Sequence, residues 1–256
     1  MARILWINPV GTDVFDAPMG ELLHQVKQPD TTVEVVSLPR GPHHVEYHYY
    51  ESLVLVDLLH EVKRAEKEGF DAAVIGCFYD PGLREAREIT EKLVVTAPAE
   101  SAMLLACSLG HKFSIIVGRE KWIPKMEENV VRYGLQARLA SFKSVDLGVH
   151  DFQADPKTTE QRLRAAAQQA IREDHAEVII LGCTAEFGFF RTLQDELGVP
   201  VLDAVVTPFK YAEYLVELKR VAGWSHSKRG GYESPLPAEI AAWGLQKQYE
   251  MADLWG

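Results

Sequence analysis

The chain has 256 residues, 47% hydrophobic, 25% charged and 9% aromatic, ordinary globular values that exclude a disordered, collagen-like or coiled-coil chain. Lys and Arg number 27 against 37 Asp and Glu, a formal net charge of -10. Such a surface repels phosphate backbones and excludes a broad nucleic-acid footprint, though not a local basic pocket. No apolar run approaches the roughly 20 residues that span a bilayer, so no membrane partner is expected. The N-terminus enters a strand pattern directly, without the apolar region of a signal peptide, and a cytoplasmic location is the expectation.

Short Val- and Ile-rich runs read as strands at Ile4–Asn8, Thr32–Leu38, Ala72–Gly76, Leu93–Val95, Phe113–Val117, Ala137–Phe142, Val178–Gly182 and Val199–Leu202. They are continuous rather than alternating, the pattern of parallel strands buried on both faces. Helical stripes lie between them. Leu55, Leu58, Leu59, Val62 and Ala65 recur at helical spacing, with Gly69 placed to end the helix. Trp122, Met126, Val130 and Tyr133 form a second stripe ended by Gly134, and Leu163, Ala166, Ala167, Ala170 and Ile171 a third. Thr158 with Gln161 resembles a capping box at the start of the third. The segment from Trp224 to Gly256 has no strand pattern but holds Trp224, Tyr232, Trp243, Tyr249 and Trp255, as a packed arm or an interface would.

Alternating strands and helices predict an α/β protein with mainly parallel sheets. Eight strands would suit a (β/α)8 barrel, but the chain echoes itself. Asp71-Ala-Ala-Val-Ile-Gly-Cys77 matches Glu177-Val-Ile-Ile-Leu-Gly-Cys183 at an offset of 106 residues, and each cysteine has an acid three residues on (Asp80, Glu186) and a glycine five on (Gly82, Gly188). Two similar four-strand α/β halves, facing one another, explain this more simply.

The three cysteines, Cys77, Cys107 and Cys183, include no C-x-x-C pair, so no structural zinc is expected. Cys107 has apolar helical neighbours and reads as core packing. Cys77 and Cys183 each end a buried strand, where open α/β sheets bind ligands. A helix starting at Pro81 and capped by Asp80 would set Cys77 at a positive helix end, which favours thiolate. Thr184 would cap the helix after Cys183. On this reading Asp80 and Glu186 are helix-start residues, not general acids. Two thiols on opposite walls of a cleft suit a racemase: one removes a proton from a carbon, the other returns one to the opposite face. His44 and His48 are four apart, but the stretch after Gly41-Pro42 reads as loop, so no metal site is expected.

Several stretches carry a family resemblance: Ile4-Leu-Trp-Ile-Asn8-Pro9, Gly41-Pro42 with Glu46 and Tyr50, Val74-Ile-Gly-Cys77-Phe-Tyr-Asp80-Pro81-Gly82-Leu83, Phe113-Ser-Ile-Ile-Val117, Trp122-Ile-Pro124, Tyr133-Gly134-Leu135 and Leu181-Gly182-Cys183-Thr184. Together they resemble the aspartate/glutamate racemase superfamily, and within it the hydantoin and allantoin racemases. The resemblance implies two similar three-layer αβα lobes with mainly parallel four-stranded sheets, related by pseudo-twofold symmetry, and cofactor-free proton transfer between Cys77 and Cys183. It implies that Asn8, Thr184 and the amides after each cysteine, at Phe78 and Ala185, hold substrate oxygens, with Pro9, His48, Tyr79 and Val117 as further substrate-binding residues. It also implies a first lobe of residues 1–97 plus 205–256, a second of 98–204, and a homo-oligomer. Three departures stand out: Tyr79 where the family carries a small Gly, Thr-Ala-Glu after Cys183, and the His- and aromatic-rich stretch from His43 to Tyr50.

The leading expectation is therefore a racemase of 5-substituted hydantoins or related cyclic ureides. The rivals are a cysteine desulfurase of a thiohydantoin-like ring, a decarboxylase or isomerase of the same fold, and a two-lobed protein that binds a small ligand without chemistry.

Overall fold

The computed structural model describes residues 2–251, so Trp255 and Gly256 of the aromatic segment lie outside the described residues. The order of elements is β1 (Arg3–Asn8), α1 (Asp16–Val26), β2 (Thr32–Ser37), α2 (His48–Lys67), β3 (Ala72–Ile75), α3 (Leu83–Ile89) and β4 (Val94–Thr96), followed by α4 (Pro98–Leu109), β5 (Phe113–Val117), α5 (Ile123–Arg132), β6 (Leu139–Ser144), α6 (Asp151–Ala154), α7 (Pro156–Asp174), β7 (Val178–Leu181), α8 (Phe190–Leu197), β8 (Val201–Leu202), α9 (Val206–Ala222), α10 (Pro237–Ala242) and α11 (Leu245–Gln248). All eight expected strands are present, with ends shifted by a few residues at most.

The strands form two four-stranded sheets, β2-β1-β3-β4 and β6-β5-β7-β8, with the same order shifted by four. Every pair is parallel, as the unbroken apolar runs require of strands covered on both faces. The result is two doubly wound α/β sheets rather than a barrel. The chain divides into two compact units. One comprises residues 1–75, 81–96 and 209–256, the other 76–80 and 97–208.

In the first unit β1 runs between β2 and β3, with Trp6 against Val35 and Val74 in register. Trp6 is fully buried. Helix α2 buries Val54, Leu58, Val62 and Ala65, the predicted stripe turned by one residue at its start. Gly69 ends it at φ +75°, with Phe70 N donating to Ala65 O, the reversal that only glycine enters without strain. The C-terminal segment is tied to this unit along β4. His226 Nε2 accepts from Val95 N, beside the Val95 carbonyl to which Arg87 of α3 donates, and Lys228 Nζ donates to the carbonyls of Arg87, Glu88 and Thr90 at the end of α3. These contacts occupy an edge that would otherwise offer unpaired strand groups. Burial, reinforced by nearby Arg87, Lys228 and Lys219, pushes the His226 imidazole down to about 4, so it stays a neutral acceptor. Trp224 and Trp243 remain exposed, so the segment is an arm only partly packed.

In the second unit β5 runs between β6 and β7, and Phe113, Ile115, Ile116 and Val117 are buried between helices. Helix α7 buries Thr159, Leu163, Ala167 and Ala170. Its start is capped by Asp155, whose carboxylate accepts from Thr158 N and from Thr158 Oγ1. The Thr158–Gln161 box is therefore replaced: Pro156 opens the helix, and the residue before it is the one placed to cap.

Candidate active site

In both sheets the strand order reverses direction beside the first strand, between β1 and β3 in one and β5 and β7 in the other. That is where α/β sheets leave a crevice at their carboxyl ends. Cys77 follows the end of β3 by two residues and Cys183 follows the end of β7 by two. Each is half-buried, and none of Cys77, Cys107 and Cys183 is in a disulfide. Cys107 is half-buried on α4 rather than core.

The two cysteine segments fold into the same turn. Asp80 N donates to Cys77 O at 3.0 Å, and Glu186 N donates to Cys183 O at 3.0 Å. Such a turn directs the N–H groups of its two middle residues outside its own hydrogen bond; here these are Phe78 and Tyr79 in one, Thr184 and Ala185 in the other. Both turns lie in the second unit, since residues 76–80 group with it. Thr184 Oγ1 donates to Gly76 O at 3.1 Å, so one hydrogen bond joins the residue before Cys77 to the residue after Cys183.

This corrects the expected role of Thr184, which caps no helix: residues 184–186 form one 3-10 turn, and α8 starts only at Phe190. The first turn also differs from expectation. Helix α3 starts at Leu83, not Pro81, and its cap position is Gly82, with no side-chain cap. Asp80 stands at φ +51° and Gly82 at φ +66°, so the chain reverses twice and carries the Asp80 carboxyl away from α3. It caps α4 instead, accepting from Ala99 N and Glu100 N at 2.8 Å each, and from Tyr133 Oη at 2.6 Å. Burial pushes Asp80 up to about 7 against these three donors.

The structure thus gathers seven of the ten predicted site residues in one unit: Cys77, Phe78, Tyr79, Val117, Cys183, Thr184 and Ala185. Asn8, Pro9 and His48 belong to the other. Asn8 is 2% exposed at the tip of β1. Its Oδ1 accepts from Trp6 Nε1 and its Nδ2 donates to Asp16 Oδ1, both at 2.7 Å, which fixes the orientation of the amide. Pro9 is buried after it, and His48 is exposed as the first residue of α2. His44 is in the preceding loop, and no group of three or more metal-ligating side chains occurs among the described residues.

Three supports were not anticipated. Asn129, fully buried on α5, donates from Nδ2 to Tyr79 O at 2.8 Å. Tyr133 holds Asp80, and Gln153 Nε2 donates to Ala185 O at 2.9 Å and Phe187 O at 3.3 Å. An asparagine inside the Trp122–Met126–Val130–Tyr133 stripe was the available signal, since a polar residue on a buried helix face needs a partner.

The glycine before Cys183 has a steric cause. A Cβ on Gly182 would stand 2.7 Å from Ile116 O and 2.8 Å from the Ile115 side chain, while Gly182 N donates to that same carbonyl. Gly182→Ala must therefore push β7 away from β5. We expect a loss of about 1–3 kcal/mol in stability, together with a displaced Cys183, read by denaturant unfolding and by the alkylation rate of that thiol.

The fold and these turns define a duplicated α/β protein with a cysteine just past the tip of each of two equivalent strands. The chain belongs to the Asp/Glu/Hydantoin racemase family, whose model matches residues 4–212. It is 38% identical to a hydantoin racemase of Pseudomonas sp. (strain NS671) over 93% of each chain, and 38% identical to a hydantoin racemase of Paenarthrobacter aurescens over 91% of this chain and 97% of that one. It superposes on an allantoin racemase from Klebsiella pneumoniae with a TM-score of 0.85 at 29% identity, covering 92% of this chain and 94% of that one. Among the described residues no helix is long and apolar enough to cross a membrane.

Proposed function

We propose that the protein is a cofactor-independent racemase of a small cyclic ureide, most simply a 5-substituted hydantoin, with Cys77 and Cys183 as its acid/base pair. The observation that carries this reading is the Thr184–Gly76 hydrogen bond, which ties together two matching turns that each begin at a half-buried cysteine. Family membership and the racemase names of the relatives support it. One cysteine as thiolate takes the proton from the carbon beside the ring carbonyl, and the other as thiol returns a proton to the opposite face. The roles exchange for the other enantiomer. The enolate charge develops on the ring oxygens, where N–H groups of Phe78, Tyr79, Thr184 and Ala185 are assigned to meet it. A cyclic substrate keeps that enolate planar and delocalised.

Incubation of single enantiomers of 5-substituted hydantoins in D2O, followed by NMR and polarimetry, tests this. Loss of optical rotation with deuterium entering at C5 is expected. Ring opening, sulfide release from a thiohydantoin, or binding without exchange overturns it.

A further inference from the structure

The turn after Cys183 buries an acid without the hydrogen bonds that its counterpart after Cys77 has. Asp80 and Glu186 hold the same position in the two turns, and both are buried. Asp80 accepts three hydrogen bonds. Glu186 is 0% exposed, and neither carboxyl oxygen has a hydrogen-bond partner. The difference arises one strand further on. In the first half Asp80 reaches across to cap α4. In the second half Asp203 stands before the equivalent helix and caps α9 itself, accepting from Val205 N and Val206 N, and also from Gly188 N. Asp203 thus takes the local N–H donors and leaves Glu186 without them.

A buried carboxyl whose oxygens lack a hydrogen-bond partner and that has a second carboxyl as neighbour keeps its proton, because the interior solvates neither charge well and the two repel. We propose that Glu186 is a positioning residue for Cys183: it stands un-ionised in the turn that begins at the second cysteine, while Asp203 carries the single negative charge of the pair. The inference rests on the acid/base role given to Cys183 above. A thiol that must become thiolate is hindered by each additional negative charge nearby, so one shared charge leaves Cys183 more easily ionised than two would.

Burial first, and then the charge of Asp203, hold the Glu186 carboxyl well above its ordinary range, and the backbone N–H groups of Cys183 and Gly182, which act in the opposite sense, do not offset them. Burial raises the Asp203 carboxyl too, but the N–H groups of Val206, Gly188 and Val205 that it accepts from oppose the rise. Gly182 N is already bonded to Ile116 O. Helix α6, which packs on this turn, contributes Asp151, an exposed residue whose carboxylate accepts from Gly148 N.

The test compares the full-length wild type with Glu186→Gln, the neutral isostere, and Glu186→Ala, without needing substrate turnover. Thermal and denaturant unfolding are followed from pH 5 to pH 9. Iodoacetamide alkylation of Cys183 is followed by peptide mass over the same range. A native-state carboxyl that keeps a proton the unfolded chain has lost makes the wild type lose stability as pH rises above the ordinary carboxylate range. The ratio of the Gln variant's folding constant to that of wild type should then climb by up to about tenfold per pH unit until Glu186 ionises. The Cys183 alkylation curves of wild type and Gln variant should coincide around neutrality, with the Ala variant departing from both. A pH-independent stability gap, or a Cys183 midpoint that falls in the Gln variant, means that the wild-type carboxyl is ionised, and overturns the proposal. Because neither measurement uses racemisation, failure of the racemase reading shows separately, as absence of exchange in D2O.

Discussion

Replacing Cys77 or Cys183 with alanine is expected to lower racemisation by about 10²–10⁴-fold, the range that a positioned acid or base contributes. The two variants should not fail in the same way. With one thiol removed, the other still faces one side of the substrate carbon. It can take a proton from the enantiomer presented to it and return a deuteron to the same face. Each single variant should therefore retain deuterium exchange, with retention of configuration, for one enantiomer, and Cys77→Ala and Cys183→Ala should prefer opposite enantiomers. Exchange and optical rotation measured together in D2O separate this from a one-base mechanism, in which one cysteine would be dispensable. Cys107→Ala, which alters a half-buried thiol on α4 away from both turns, should leave the rate near wild type.

Asp80→Ala is expected to be the most damaging change outside the cysteines. It removes the acceptor of three hydrogen bonds, leaving the N–H groups of Ala99 and Glu100 and the hydroxyl of Tyr133 without it. It also places alanine at φ +51°. Loss of a cap costs about 1 kcal/mol and each stranded buried donor about 1–3 kcal/mol, so a total of about 3 kcal/mol or more is expected. Asp80→Asn keeps a carbonyl acceptor and tolerates the left-handed backbone, and should cost less than half as much. The gap between wild type and Asp80→Asn should depend on pH. Burial holds the native carboxyl at about 7, above its ordinary value of 3.8, so the native state binds a proton that the unfolded chain has released. Wild-type stability then falls as pH rises from about 4 to about 7, while the Asn variant lacks this dependence. The deficit of the variant is largest near pH 4 and narrows towards neutrality. Urea unfolding at several pH values checks it, and a deficit that widens with pH would show that Asp80 is held as an ion.

Strands β3, β5 and β7 were the most legible because each is a largely apolar run buried on both faces, which removes the need for alternation, whereas the edge strands β2 and β6 carry polar residues and are only partly buried. Helix ends were less legible. The Gly69 and Gly134 reversals were readable, since both adopt positive φ at the end of an apolar stripe. The starts of α3 and α7 were misplaced because several residues near a helix start have capping side chains, and their backbone angles select among them. Asp155 rather than Thr158 caps α7, and the left-handed Asp80 turns away from α3 altogether.

What the sequence determined by itself was the repeat: two Gly-Cys turns after two buried strands, each followed by an acid three residues later. These are local features, written in neighbouring residues. The tertiary structure alone decided what the two acids do. Asp80 finds α4 and Tyr133, while the carboxyl oxygens of Glu186 have no hydrogen-bond partner. Tyr133 is 53 residues from Asp80 in the chain, and Asn129 is 50 from the carbonyl of Tyr79 that it holds. Hydrogen-bond partners that distant are brought together by the packing of helices on a sheet, and nothing in a residue's immediate neighbours encodes which donor will reach it.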